Sequence, residues 1–162
     1  MLSLVFPGQG SQYIGMGKDF SHNFPIANEV YREVDDVLGF SLSKLIFNGQ
    51  IEDLTLTKNA QPAIMATSIA ILKTLEKEGF KIKKSKFVAG HSLGEYTALC
   101  ASGAISLADT AHILKMRGIF MQEAVSVGVG AMAAILGLNF ATVQSLAAEA
   151  QAAGICQAAN DN

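Results

Sequence analysis

Ser92 stands between two glycines in the run Gly90-His91-Ser92-Leu93-Gly94. The residues before it (86–89, KFVA) favour a strand, and those after it (95–103, EYTALCASG) favour a helix. A serine at such a junction fits a nucleophile elbow, the sharp strand-to-helix turn that presents a hydroxyl for covalent catalysis. The glycines suit that geometry, because the strained turn leaves no room for side chains two positions away from the serine. A helix starting there would aim amides and partial positive charge at a developing oxyanion. A glycine-bordered turn with a structural serine is the other reading.

A serine nucleophile needs a base, and the chain holds three histidines. His91 adjoins the serine, and on a sharp turn its side chain is directed away, so it is expected to pack behind the nucleophile. His22 lies in a polar connector and is expected to be exposed. His112 is expected on a helix surface or interface. None has an evident orienting carboxylate, so the base is not expected among them. A second glycine-rich stretch, residues 7–17 (PGQGSQYIGMG), fails the phosphate-loop pattern, and Tyr13 stands where a dinucleotide fingerprint needs its third glycine. It reads as an oxyanion loop or as a plain glycine-rich turn. Arg117 sits between Met116 and Gly118. Its planar guanidinium could hold a carboxylate through two parallel bonds, as lysine cannot; a salt bridge on the helix surface or between domains is the alternative. Gln61, before Pro62, reads by itself as a first-turn polar residue. Met65 and Met116 read as core fillers. Cys100 and Cys156 share no metal-binding spacing and read as reduced core residues.

Several elements must position these residues. Residues 2–6 (LSLVF) predict a short strand. A helix is expected from Pro25, with Ile26, Val30, Val34 and Val37 at helical spacing and Gly39 at its end. Residues 40–59 predict a connector with one short helix. The next helix is expected from Asn59 as cap, through Pro62 in its first turn, to Gly79. A basic connector (Lys81, Lys83, Lys84, Lys86) leads into the strand before Ser92, and a helix follows from about Gly94. Ser106 and Asp109 form a capping box for the helix carrying Arg117. After a glycine break, residues 131–137 (AMAAILG) predict a strand, Asn139 caps a helix, and residues 155–160 (ICQAAN) begin a further strand. The order implies a parallel α/β layer over residues 1–127, then over residues 128–162 the start of a β-α-β-β-α-β unit.

The chain has 162 residues, of which 50% are apolar, so a real core is expected. A net charge of −2 gives no electrostatic case for nucleic acid. No run approaches the roughly 18 apolar residues of a membrane span, and the first ten residues lack the basic flank of a signal peptide. A cytoplasmic protein is the default expectation.

Five segments, FPGQGSQYIGMG, NAQPAI, AGHSLGEYTAL, MRGIFMQEAV and GAMAAILGL, occur in this order. In them the chain resembles the malonyl-CoA:acyl carrier protein transacylases of bacterial fatty acid biosynthesis, and more distantly the acyltransferase domains of fatty acid and polyketide synthases. The resemblance covers essentially the whole sequence and implies the N-terminal half of a longer enzyme. It implies an α/β-hydrolase-like acyltransferase core followed by the start of a ferredoxin-like subdomain. By that resemblance Ser92 is the acylated nucleophile, and the amides of Gln9 and Leu93 form the oxyanion hole. Arg117 clamps the malonyl carboxylate, Gln61 lies near the nucleophile, and Asn160 and Asn162 line the pocket. The family's base is a histidine further along, which nothing in this sequence matches, so turnover by these 162 residues alone is not expected. The implied partners are malonyl-CoA and acyl carrier protein, in a ping-pong transfer without metal or redox cofactor. The basic run is either a solvated connector or an attraction for an acidic carrier protein. A serine hydrolase or thioesterase, and an inactive fragment of the transacylase, are the alternatives.

Overall fold

The computed structural model describes residues 2–125 and 128–161. The chain divides into two compact units, Met1–Ser126 and Val127–Asn162. In the first, strand β1 (Ser3–Phe6) leads through the glycine-rich loop into helices α1 (Lys18–Asn23), α2 (Pro25–Leu38), α3 (Leu42–Asn48), α4 (Ile51–Thr55) and α5 (Thr57–Lys77). Strand β2 (Phe87–Gly90) and helices α6 (Leu93–Ser102) and α7 (Leu107–Ala124) follow. The strands pair in parallel, Ser3 opposite Phe87 and Phe6 opposite Gly90. Strand alternation puts Leu4, Phe6 and Val88 toward the core, while Val5 and Phe87 stay 75% and 58% exposed. Helices therefore cover only one face of this sheet, whereas a parallel sheet ordinarily has both faces covered.

Helix α5 is the axis of the unit, packing against α2, α6 and α7. Its residues from Asn59 to Thr67, with Ile69, Ala70, Leu72 and Thr74, are all buried. Near-uniform apolarity buries a helix on all sides, and each fully buried Ile, Leu or Met contributes about 1.5–3 kcal/mol. Around it Val30 and Val34 of α2 are buried as the periodicity predicted, with Ala27 and Tyr31 beside them, whereas Ile26 is half-buried and Val37 is exposed.

Several local expectations need correction. Asn59 does not cap α5, which starts two residues earlier at Thr57. Instead the Asn59 side chain donates to the Asp53 carbonyl at 2.9 Å and accepts from Lys115 Nζ at 3.1 Å. Pro62 lies inside the helix rather than in its first turn; its ring removes the N–H that would meet the Lys58 carbonyl, and burial on every side holds the helix regardless. The connector over 40–59 forms two short helices, not one. Helix α1 was not expected, because six mainly polar residues show no apolar period. Ser106 does cap α7, accepting from Asp109 N at 3.0 Å.

The second unit contains α8 (Phe140–Ala150), capped by Asn139 through a 2.9 Å bond from Thr142 N, and a 3₁₀ turn at Gln151–Ala153. The strands expected over 131–137 and 155–160 are not formed. A strand exists through its ladder, and among the described residues neither segment has one.

Tyr31 gives the core a pH dependence. It is 1% exposed, donates to Thr67 Oγ1 at 3.1 Å, and meets the Phe47 ring edge-on. Burial pushes its pKa up to about 12, with the Thr67 bond opposing. The folded value lies above the unfolded one, so this contribution is intact below pH about 10 and is lost as pH rises toward about 12. Denaturant unfolding across that window should show a loss on the order of 2–3 kcal/mol from this group. Tyr31→Phe should abolish that part of the alkaline loss and cost about 1 kcal/mol at neutral pH.

Candidate active site

The parallel pairing ends both strands on the same side of the sheet, so the loops after β1 and β2 start side by side. His91 N extends the pairing by donating to the Phe6 carbonyl at 3.1 Å. The chain then turns sharply. Ser92 has φ 54° and ψ −110°, and it is the one non-glycine residue with positive φ among those described. Such a backbone costs on the order of 1–3 kcal/mol unless the surroundings enforce it. Here they do: Gly94 N donates to the His91 carbonyl at 2.8 Å and Glu95 N to the Ser92 carbonyl at 3.1 Å. A Cβ on Gly90 would overlap the Gly94 carbonyl, and one on Gly94 would overlap the Phe6 and Pro7 carbonyls. Both glycines are thus demanded by close backbone approach.

Ser92 does not spend its side chain on capping α6, and the residue is exposed. Leu93 opens that helix, so its N–H has no intrahelical acceptor. The loop after β1 packs against the elbow: a Cβ on Gly8 would come within 2.5 Å of His91 Nδ1. Within the loop Ser11 Oγ donates to the Gly8 carbonyl at 2.9 Å and Gly10 N to Gln12 Oε1 at 2.8 Å. The Gln9 side chain reaches α5, its Nε2 lying 3.4 Å from Thr57 Oγ1.

Arg117 joins three elements. From α7 its Nη2 donates to Ser92 Oγ at 3.0 Å and its Nη1 to Gln61 Oε1 on α5 at 2.5 Å. Its guanidinium carbon lies 5.7 Å from the centre of the Tyr96 ring on α6. Gln61 is fully buried and donates its Nε2 to Met121 Sδ at 3.3 Å, which fixes which end of the carboxamide faces the arginine. Gly118 makes the reach possible, since a Cβ there would sit 2.6 Å from Lys58 Cα. The expected alternative, a salt bridge, is not what is found: the ion pair present among the described residues is Lys73–Glu76. Nearby, Lys115 lies 4.5 Å from the centre of the Phe40 ring, and burial, then the charge of Lys58, lowers its pKa.

Ser92, Gln61 and Arg117 are therefore brought together, with the Gln9 loop beside them. His22 lies exposed in α1 and His112 exposed on α7. Asn160 is exposed in the second unit, and Asn162 lies outside the described residues. Both cysteines are free and partly exposed; burial pushes the Cys100 thiol up, with Thr110 opposing. Among the described residues no group of three or more His, Cys, Asp or Glu could hold a metal, and no helix is long and apolar enough to cross a membrane. Sequence reasoning missed Tyr96 and Met121. Both spacings were available, Tyr96 one helical turn beyond Ser92 and Met121 one turn beyond Arg117, but neither residue type announces a role.

The acyl transferase domain family matches residues 3–160. The chain is 51% identical to the malonyl CoA-acyl carrier protein transacylase of Bacillus subtilis strain 168 over 138 residues, 85% of this chain and 43% of that protein. It is 42% identical to the Escherichia coli K12 protein of the same name over 99% of this chain and 51% of that one. The crystal structure of acyl-carrier-protein-S-malonyltransferase from Bartonella henselae superposes with a TM-score of 0.93 and 53% identity, covering 100% of this chain and 52% of that one. A type II polyketide acyl-carrier protein in complex with its malonyl-transacylase gives a TM-score of 0.86 and 40% identity over 93% of this chain and 48% of the matched chain. The chain spans about half the length of the relatives it matches. It shares their mixed α/β architecture with a small parallel sheet, and with its profile match across nearly every residue it belongs to the acyl transferase domain family, on the side of the malonyl-CoA:acyl carrier protein transacylases.

Proposed function

We propose that this chain carries the nucleophile and the acyl-recognition arginine of a malonyl-CoA:acyl carrier protein transacylase, acting in cytoplasmic fatty acid biosynthesis. The observation that carries this reading is the placement of the Arg117 guanidinium 3.0 Å from Ser92 Oγ, on an elbow that leaves the hydroxyl exposed. A hydrolase with no charged acyl group to recognise has no use for a fixed cation there. An acyl group ending in a free carboxylate does, because guanidinium and carboxylate pair through two parallel bonds.

In the proposed reaction Ser92 Oγ attacks the thioester carbonyl of malonyl-CoA. The oxyanion is held by the amides of Leu93, at the start of α6, and Gln9, in the loop packed on the elbow. CoA departs as its thiol, and malonyl remains on Ser92 with its carboxylate on Arg117. The phosphopantetheine thiol of acyl carrier protein then removes it. The base that accepts the Ser92 proton is assigned to a histidine other than His22, His91 and His112. Asn160 and Asn162 are assigned to the pocket wall, His91 to the support of the elbow, and residues 128–162 to the start of the small subdomain. The solved complex of a polyketide carrier protein with its transacylase supports the choice of acceptor.

The test is acyl transfer by the intact protein from malonyl-CoA and from acetyl-CoA, with carrier protein or water as acceptor. Losing a desolvated charged contact costs roughly 2–5 kcal/mol. Arg117→Ala should therefore lower malonyl transfer by well over tenfold and spare acetyl transfer. Equal losses for both acyl groups would remove the clamp role, and release of free malonate in place of acylated carrier would favour the thioesterase reading.

Lys81, Lys83, Lys84 and Lys86 are all exposed, clustered ahead of β2. As an attraction for an acidic carrier they would act on encounter rate. Reversing the charge at Lys83 and Lys84 should raise the apparent KM for carrier protein at low ionic strength and leave that for malonyl-CoA unchanged. An unchanged KM for carrier would return the run to a solvated connector.

A further inference from the structure

Arg117 is committed to two partners, and one of them is the proposed nucleophile. We infer that the Arg117–Ser92 contact is a latch that a substrate carboxylate releases. This deepens, and rests on, the reading of Arg117 as the malonyl clamp: the same guanidinium that recognises the carboxylate restrains the hydroxyl until the carboxylate arrives.

The physical argument concerns competition for one donor. Nη2 donates to Ser92 Oγ at 3.0 Å, which occupies a lone pair of the hydroxyl and places a positive charge against it. The occupied lone pair is withheld from attack, and that is the restraint; the charge alone would ease loss of the hydroxyl proton. Nη1 is held by Gln61 Oε1, and Gln61 is in turn buried and anchored on Met121. The guanidinium is thus fixed from the Gln61 side, and its contact with Ser92 is the exposed one. A carboxylate offers that exposed side a charge-assisted bond, roughly twice as strong as a bond to a neutral hydroxyl. A ligand shifts such an equilibrium only through its differential affinity for the two states. A malonyl group has that differential affinity, whereas an acetyl group has no oxygen to offer in exchange. The latch adds to acyl selectivity a second contribution, separate from binding: acyl groups without a terminal carboxylate meet a serine that is still restrained.

Thermodynamic linkage makes the latch measurable without turnover. If binding a carboxylate requires Arg117 to leave Ser92, removing the hydroxyl must tighten carboxylate binding. The probe is monomethyl malonate, which presents one free carboxylate on a three-carbon acyl frame. Its affinity is read by titrating the Arg117 side-chain Nε–H resonance in the full chain, and by calorimetry. Wild type should bind it, and Arg117→Ala should not. Ser92→Ala should bind it about threefold to tenfold tighter, the effect of releasing one hydrogen bond. Ser92→Gly removes the same hydroxyl with a residue suited to the positive φ and should behave alike, which guards against a folding defect in one variant. Methyl acetate, lacking the carboxylate, should leave the Arg117 resonance in place. Unchanged or weaker binding in both Ser92 variants, with binding still dependent on Arg117, would overturn the latch and leave the clamp standing. Binding that ignores Arg117→Ala, or no binding by wild type, would overturn both.

Discussion

The backbone of Ser92 is the constraint around which this chain is arranged. A serine at φ 54° is held against its own preference, and the restraint comes from three backbones meeting in a small volume. The end of β1, the end of β2 and the first turn of α6 approach so closely that Gly90 and Gly94 cannot carry side chains. The parallel register sets which carbonyls they meet, because Phe6 lies opposite Gly90. A shift of one residue in either strand would place a side chain where the structure has none to spare. Register, glycine positions and exposed hydroxyl are therefore one geometric fact.

The arginine depends on a second close approach. Arg117 reaches Ser92 because α7 lies hard against the start of α5 at Gly118. Its other anchor, Gln61, is a fully buried carboxamide in an otherwise apolar stretch of α5. A buried amide costs free energy unless both ends are satisfied. Arg117 takes the oxygen and Met121 the nitrogen, so Gln61 is oriented by burial and orients the arginine in return. Among the described residues no carboxylate pairs with this cation.

Among the described residues of the first unit, no helix covers the face of the β1–β2 sheet that carries Val5 and Phe87, and both are exposed. Strand edges and an apolar sheet face are strong templates for pairing and packing. The matched relatives are about twice as long as this chain. The second unit shows the same condition locally: Met132, Leu136 and Ile155 are largely exposed, and α8 buries no residue.

The sequence by itself determined the features that depend on neighbours along the chain. The helix of α2 with its terminal Gly39, the Ser106 and Asn139 caps, and the strand-turn-helix around Ser92 are local, and their residues carry the signal within a few positions. The five motif segments also declared the family, because their wording and order persist without reference to contacts. Tertiary structure decided what depends on partners distant in sequence. Asn59 looked like a cap, yet burial let α5 extend past it and turned its side chain to Lys115. Residues 131–137 and 155–160 looked like strands, but strand propensity is realised only through a ladder, which these segments lack. The bond from Arg117 to Ser92 spans 25 positions and that from Arg117 to Gln61 spans 56. Pattern in a sequence is read over a few residues, whereas a site is built where helices happen to close to van der Waals contact.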